Sequence, residues 1–439
     1  MIRYLTIIVI ALTTLGCDST SSSSNYKLSG EISIEGVADL SGVTIALYFP
    51  TILDEDLLNY QDNYSSIGVQ ITQEMLFDHR QSTATKTVQA NSDGTYEIKD
   101  VSSGEYNLVA YTDGFGWSYK TGITVGADRS NLNFTLFPET IVTSATSGST
   151  TFEANHFYVI EQNVDFFVPL NIVQPCHFLI TPNKKISFLN EVNINPASGQ
   201  VRFTLSGNPA TEKWLGIVVK NVNADISDII IENAATGIIS ENSMNELQLN
   251  NVLITKSVIG FSALNSSPIT IANSTLFGNE NANIEMQLAN ISIVHSLIGK
   301  AELGINQSDF CETVVTNTII TGHEIGFQDV DTQGPALASP QITLSLFENN
   351  NLHDIYLKNS NMLVVANTNL LSDVALKVKA DINNLIDNLN FQSNYWGTTN
   401  SIDITGMIYD YNDLTDSPNQ DRFPIVDFSN FLDSPVTID

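Results

Sequence analysis

"SDIIIENAATGIISENSMNELQLNNVLITKSVIGF", residues 227–261, says the same thing twice. "TGI" at Gly237 returns as "IGF" at Gly260, and "SDIII" at Asp228 returns as "NNVLI" at Asn251, each 23 residues later. Working outward, the first phrase recurs at Gly216, Gly237, Gly260, Asn283, Gly304, Gly326, Asp354, Ala375 and Gly397, with intervals of 21, 23, 23, 21, 22, 28, 21 and 22. The second runs through Asp228, Asn251, Asn273, His295, Asn317, Leu344, Asn367 and Asn390, and its one long step spans the same insertion, "DVDTQGPALASP". Two registers advancing together at a period of about 22 residues mark a solenoid.

The coils are rich in Val, Ile, Thr and Asn. They lack helical periodicity and the several fixed Leu positions of a leucine-rich repeat, so the pattern predicts a parallel β-helix. One coil cannot bury its own inner face, but coils stacked at strand spacing close a continuous core. Ile217, Ile238, Phe261, Ile284, Ile305, Phe327, Ile355 and Leu376, each one past a recurring position, are expected to stack inward. The Asn column is expected to form a hydrogen-bonded ladder along a turn, with Gly allowing backbone shapes that a Cβ would forbid. His295, inside that column, reads as a ladder member. Residues 139–397, with "KWLGI" near the start and "NYWG" near the end, resemble the pectin-lyase-like superfamily of right-handed parallel β-helix proteins. That resemblance implies roughly ten coils. The period is lost in residues 398–439, which read as a cap, with Trp396 covering the end of the core.

Residues 26–138 alternate with a period of two in short runs such as "YKLSGEISI", "TYEIKDV" and "EYNLVAYT", which predicts an antiparallel β-sandwich of transthyretin or immunoglobulin type. "NSDGTYEIKDVSSGEYNLVAYTDGF", Asn91 to Phe115, resembles the carboxypeptidase regulatory-like domain, which implies a non-catalytic spacer or binding module. Residues 51–85 are longer than a hairpin needs and are expected to hold a short helix. His79 and Trp117 read as packing or surface residues. The whole chain is therefore expected to be all-β.

"MIRYLTIIVIALTTLGC" carries Arg3, an apolar run from Tyr4 to Leu12, and small residues before Cys17. It resembles a bacterial lipoprotein signal, although Thr14 stands where Leu is usual. The resemblance implies a signal peptide over residues 1–16, lipidation of Cys17, a flexible linker over 17–25, and a membrane partner through the lipid. The formal net charge is −30, from 48 acidic and 18 basic side chains. Such a surface excludes nucleic acid, whose binding depends on Lys and Arg. It suits divalent cations and neutral or basic partners.

The superfamily resemblance brings polysaccharide chemistry into view without its residues. Calcium-dependent pectate lyases use clustered Asp and an Arg base, and polygalacturonase-like hydrolases use an Asp trio, His-Gly and Arg-x-Lys. After residue 138 the arginines are Arg202 and Arg422, and Arg-x-Lys, His-Gly and Asp-Asp do not occur there. Glu280, Glu302 and Glu324 are spaced 22 and 22 apart, so they should stack about one strand apart. Three readings stay open: a solvated acidic edge, a Ca²⁺ site of all three, or a catalytic pair, Glu302 and Glu324. Cys176 and Cys311 lie about six coils apart, roughly 29 Å at strand spacing, beyond the roughly 7 Å a disulfide spans. Two free, buried thiols follow.

The expected protein is exported, lipid-anchored in the cell envelope and monomeric. It is non-catalytic, binding a polysaccharide or surface protein or serving a structural role, with no cofactor required beyond a possible Ca²⁺. The alternatives are a polysaccharide lyase or glycoside hydrolase, and surface adhesion through stacked edges. A cleft lined by aromatics and carboxylates would favour chemistry; a flat face of Asn, Ser and Thr would favour binding.

Overall fold

The computed structural model describes residues 25–144, 151–331, 339–358, 363–381, 388–414 and 424–439. The expected signal peptide, Cys17 with its expected lipid, and Arg422 lie outside these residues.

The first domain is built from β1 (Tyr26–Ile34), β2 (Thr44–Tyr48), β3 (Lys86–Gln89), β4 (Thr95–Val101), β5 (Gly104–Tyr111), β6 (Ser118–Val125) and β7 (Phe134–Leu136). They form two sheets, ordered β4-β1-β7 and β3-β2-β5-β6. Alternation puts Leu28, Ile45, Ile98, Leu108 and Phe134 into one core, which is the expected use of a period of two.

Residues 51–85 hold more than the one short helix expected. The helix α1 (Glu55–Asn63) starts on Asp54, whose carboxylate accepts from the amides of Asp56 and Leu57, satisfying two free N-terminal donors. It buries Leu57 and Tyr60 at i and i+3. Ile67, Val69 and Ile71 follow in alternation, and α2 (Gln73–Leu76) begins on the Thr72 hydroxyl. These side chains lie across the outside of the second domain, against Ile230, Leu253, Phe277, Leu297, Ile319 and Leu346. Polar contacts fix the register of this strap. The Tyr60 hydroxyl pairs with Thr321 Oγ1 at 2.6 Å and accepts from Asn349 Nδ2 at 2.8 Å. The Gly68 amide donates to the His295 carbonyl at 2.8 Å.

The second domain is a parallel β-solenoid. One inward column runs Val164, Ile186, Ile217, Ile238, Phe261, Ile284, Ile305, Phe327, Ile355, Val378, Ile408, ten successive parallel pairings. All of these are buried. The expected column holds as far as Ile355. There it slips: Val378 and not Leu376 stacks on Ile355. Gly216, Gly237, Gly260, Gly304 and Gly326 do form one line; Gly216 has a φ of 111°, whereas the other four are needed for room and not for an unusual φ. A Cβ on Gly237 would sit 2.5 Å from the Gly260 carbonyl, and one on Gly304 would sit 2.3 Å from that of Gly326.

The Asn column has a backbone cause. Asp228, Asn251, Asn273, His295, Asn317, Leu344 and Asn367 all have φ between 46° and 55°, the left-handed region that Asn and Asp tolerate best. Side-chain pairing is patchy. Asn251 donates to Asp228 and Asn317 meets His295 Nε2 at 3.1 Å, but Asn273 turns to Asn250 instead. At the last coil Ser393, φ 59°, takes the place expected for Asn390. A more regular ladder runs one residue later, through buried hydroxyls. Ser274, Ser296, Thr318, Ser345 and Thr368 each donate to the carbonyl two residues back. The Val252, Ser274 and Thr318 amides donate to the hydroxyl one coil on, Ser274, Ser296 and Ser345.

Trp396 is fully buried at the end of the core. Beyond Gly397, Ile408–Tyr409 and Val426–Asp427 still add parallel pairings, and the tail returns so that Asn369 bonds the Val436 backbone at 2.8 Å in both directions. Cys176 and Cys311 are free and buried.

Candidate functional site

The outward face of the solenoid beneath the first domain begins with Phe157, His177 and Arg202, stacked in register and followed by Ile230. The phrases "FYVI", "HFLI" and "VRFTL" place them at the strand position that later coils fill with aliphatics. The Phe157 and His177 rings stack at 4.4 Å with 6° between planes. Arg202 Nη2 donates to Glu232 Oε2 at 2.6 Å, and Glu232, fully buried, also accepts from Thr204 and Asn233. Burial opposes the charge on Arg202, but Glu232, Tyr119 and Asp78 together outweigh it and raise the guanidinium further. Burial first, and Arg202 second, push the His177 imidazole down to about 3, so it is neutral. Its enclosed Nδ1 has no hydrogen-bond partner among the described residues.

The first domain supplies the roof. Trp117 meets Phe157 edge to face at 5.0 Å. Gly116 makes this approach possible, since a Cβ there would lie 1.9 Å from the Phe157 ring. Arg80 bridges the domains: its guanidinium lies 4.8 Å from the Trp117 ring centre and donates to the Leu205 carbonyl. Asp78 anchors it at 2.8 Å. Burial pushes the Asp78 carboxyl up, but hydrogen bonds and charge from Arg80 hold it well below the usual carboxylate range. His79 donates to or accepts from the Tyr119 hydroxyl at 2.9 Å, and burial pushes it down to about 4.

Between roof and floor lies a cleft of about 1090 Å³. Trp117, Tyr119, Phe137 and Phe157 line it with aromatic surface, and Asn155, Gln174, Ser118, Ser198 and Gln200 with neutral donors and acceptors. Glu74 and Asp228 add carboxylates. Apolar walls with a few placed polar groups are the usual form of a ligand site. Trp117, read from sequence as a packing or surface residue, packs and lines this cleft; Arg202, noted as one of two late arginines, sits on its floor.

The acidic residues singled out by spacing lie elsewhere. Glu280, Glu302 and Glu324 do occupy successive coils, with the Glu302 amide donating to Glu280 at 3.2 Å and Glu324 to Glu302 at 2.9 Å. All three side chains are exposed, and Glu280 pairs with Lys213 at 3.1 Å. The neighbouring His323 is not with them: it is buried, against Asn350 and Asn283. Among the described residues no group of three or more His, Cys, Asp or Glu is placed to hold a metal.

Residues 67–131 match a family model described as polysaccharide lyase family 4, domain II. No curated protein and no solved structure matches the chain. The matched stretch includes Glu74, Trp117 and Tyr119, and so covers most of the cleft's roof. Together with the β-solenoid, it gives the chain polysaccharide-lyase-like features.

Proposed function

We propose that this is an exported carbohydrate-binding protein that holds a glycan in the cleft between its two domains without cleaving it. On this reading the lipid on Cys17 tethers it to the cell envelope, and the carboxypeptidase regulatory-like sandwich serves as both spacer and roof. The aromatic cleft carries the proposal: the apolar faces of sugar rings pack on aromatic rings, while their hydroxyls need neutral donors and acceptors. The likeness of the roof to a polysaccharide-lyase domain supports the same ligand class.

A cleft of aromatics and carboxylates is the form that favours chemistry, but the state of the ionisable groups favours binding over cleavage. Glu232 is tied to Arg202, Asp228 accepts from Asn251, and His177 at about 3 is too weak a base for efficient proton abstraction near neutrality. A glycan array followed by a reducing-sugar and unsaturated-product assay on the hits tests this. Binding without product is expected. Product formation, lost on Arg202→Met or His177→Ala, would turn the reading into the lyase or hydrolase alternative.

A further inference from the structure

We infer that the cleft takes an uncharged glycan segment and not a uronate polymer, an inference that rests on the glycan reading of the same cleft. The argument is electrostatic. A polyuronate carries a carboxylate on every ring and needs unpaired cations along its path, as Arg-carboxylate recognition does elsewhere. Both arginines at this site are already matched, Arg202 by Glu232 at 2.6 Å and Arg80 by Asp78 at 2.8 Å. Among the described residues, the other charges lining the cleft are the carboxylates of Glu74 and Asp228. An acidic sugar would therefore lose its hydration against a wall that is negative overall, inside a chain of net charge −30.

The neutral groups fit a neutral ligand equally directly. Gln174, Gln200, Ser118 and Ser198 can each donate and accept, as a sugar hydroxyl does. At about 1090 Å³ the cleft exceeds the usual range of roughly 300–1,000 Å³ for small-molecule pockets, which favours several linked rings over one sugar.

Isothermal titration calorimetry on the full chain tests this with hexasaccharides of glucose, mannose, xylose and galactose against hexagalacturonate, at low and physiological salt. At least one neutral hexasaccharide should bind, weakened about tenfold or more by Trp117→Ala. Gln200→Ala is the second variant, should Trp117→Ala disturb folding by circular dichroism, and Gln248→Ala on a distant face should change nothing. Hexagalacturonate binding that depends on Trp117 or Gln200 would overturn the neutral class but keep the glycan site. Neutral binding indifferent to both variants would overturn the site as well. Failure of every sugar to bind would overturn the carbohydrate reading itself.

Discussion

The strand Leu247–Thr255 is buried at alternate residues in its first half and at every residue in its second, and Ala224–Glu232 behaves in nearly the same way. Each strand bends between its halves at a left-handed Asn or Asp. Before the bend the outward residues are Asp225 and Gln248, on a polar face open to solvent. After it they are Ile230 and Leu253, under the strap. The inward residues hardly differ. What covers a solenoid is therefore written in its outward column, and an apolar outward column needs a partner as permanent as the core.

The hardest test of that contrast removes the partner. Replacing residues 53–76 by a short Gly-Ser link would bare Ile230, Leu253, Phe277, Leu297, Ile319 and Leu346, each worth about 1.5–3 kcal/mol when fully buried. We expect strong binding of a hydrophobic dye, self-association in sedimentation, and a greater fall in melting temperature than any single substitution causes. A soluble variant with unchanged melting would show that the covered face needs no cover.

A smaller effect is expected where the covered column gives way to the cleft. Arg202 and Glu232 sit there at 8% and 0% exposure. Arg202→Met leaves a buried carboxylate without its cation, at a cost of about 3–5 kcal/mol. Adding Glu232→Leu should recover most of it, since no buried charge then remains without a partner. Urea denaturation of the two variants measures this. Equal destabilisation in both would mean that the column's chemistry, and not the orphaned charge, sets the stability.

The contrast also explains what could be read in advance. Inward stacking imposes a period, so Ile217 to Ile355, the turn at the Asn column and the separated thiols of Cys176 and Cys311 were legible, though not the left-handed backbone that selects the Asn. The expectation failed at Leu376 and Asn390, where the final coils change length and the spacing no longer reports the register. The strap was legible in principle. The apolar runs "III", "VLI", "LF", "LI" and "II" follow one another without alternation, the mark of strands buried on both faces, whereas a strand with one wet face alternates. The cleft was not legible, because Trp117, His177 and Arg202 come from separate segments and meet only when the sandwich settles on the coils. Spacing selected the glutamates instead, which stack as predicted without converging.

The smallest effects belong to the open faces, where side chains meet water in the folded and unfolded states alike. Asn193→Ala and Gln248→Ala should change stability by no more than about 0.5 kcal/mol, even though Asn193 donates to Asn171 at 3.1 Å. The exposed bond replaces one to water, so little is lost. The same reasoning applies to Glu280, Glu302 and Glu324. Their side chains reach solvent and one is already paired with Lys213, so like-charge repulsion is screened and little is gained by a cation. Adding Ca²⁺ or a chelator should move the melting temperature by no more than about 1–2 °C, the equivalent of roughly 0.5 kcal/mol in a chain this large. A clear calcium-dependent rise, abolished by Glu302→Gln with Glu324→Gln, would make that stack a metal site and end its classification with the inert faces.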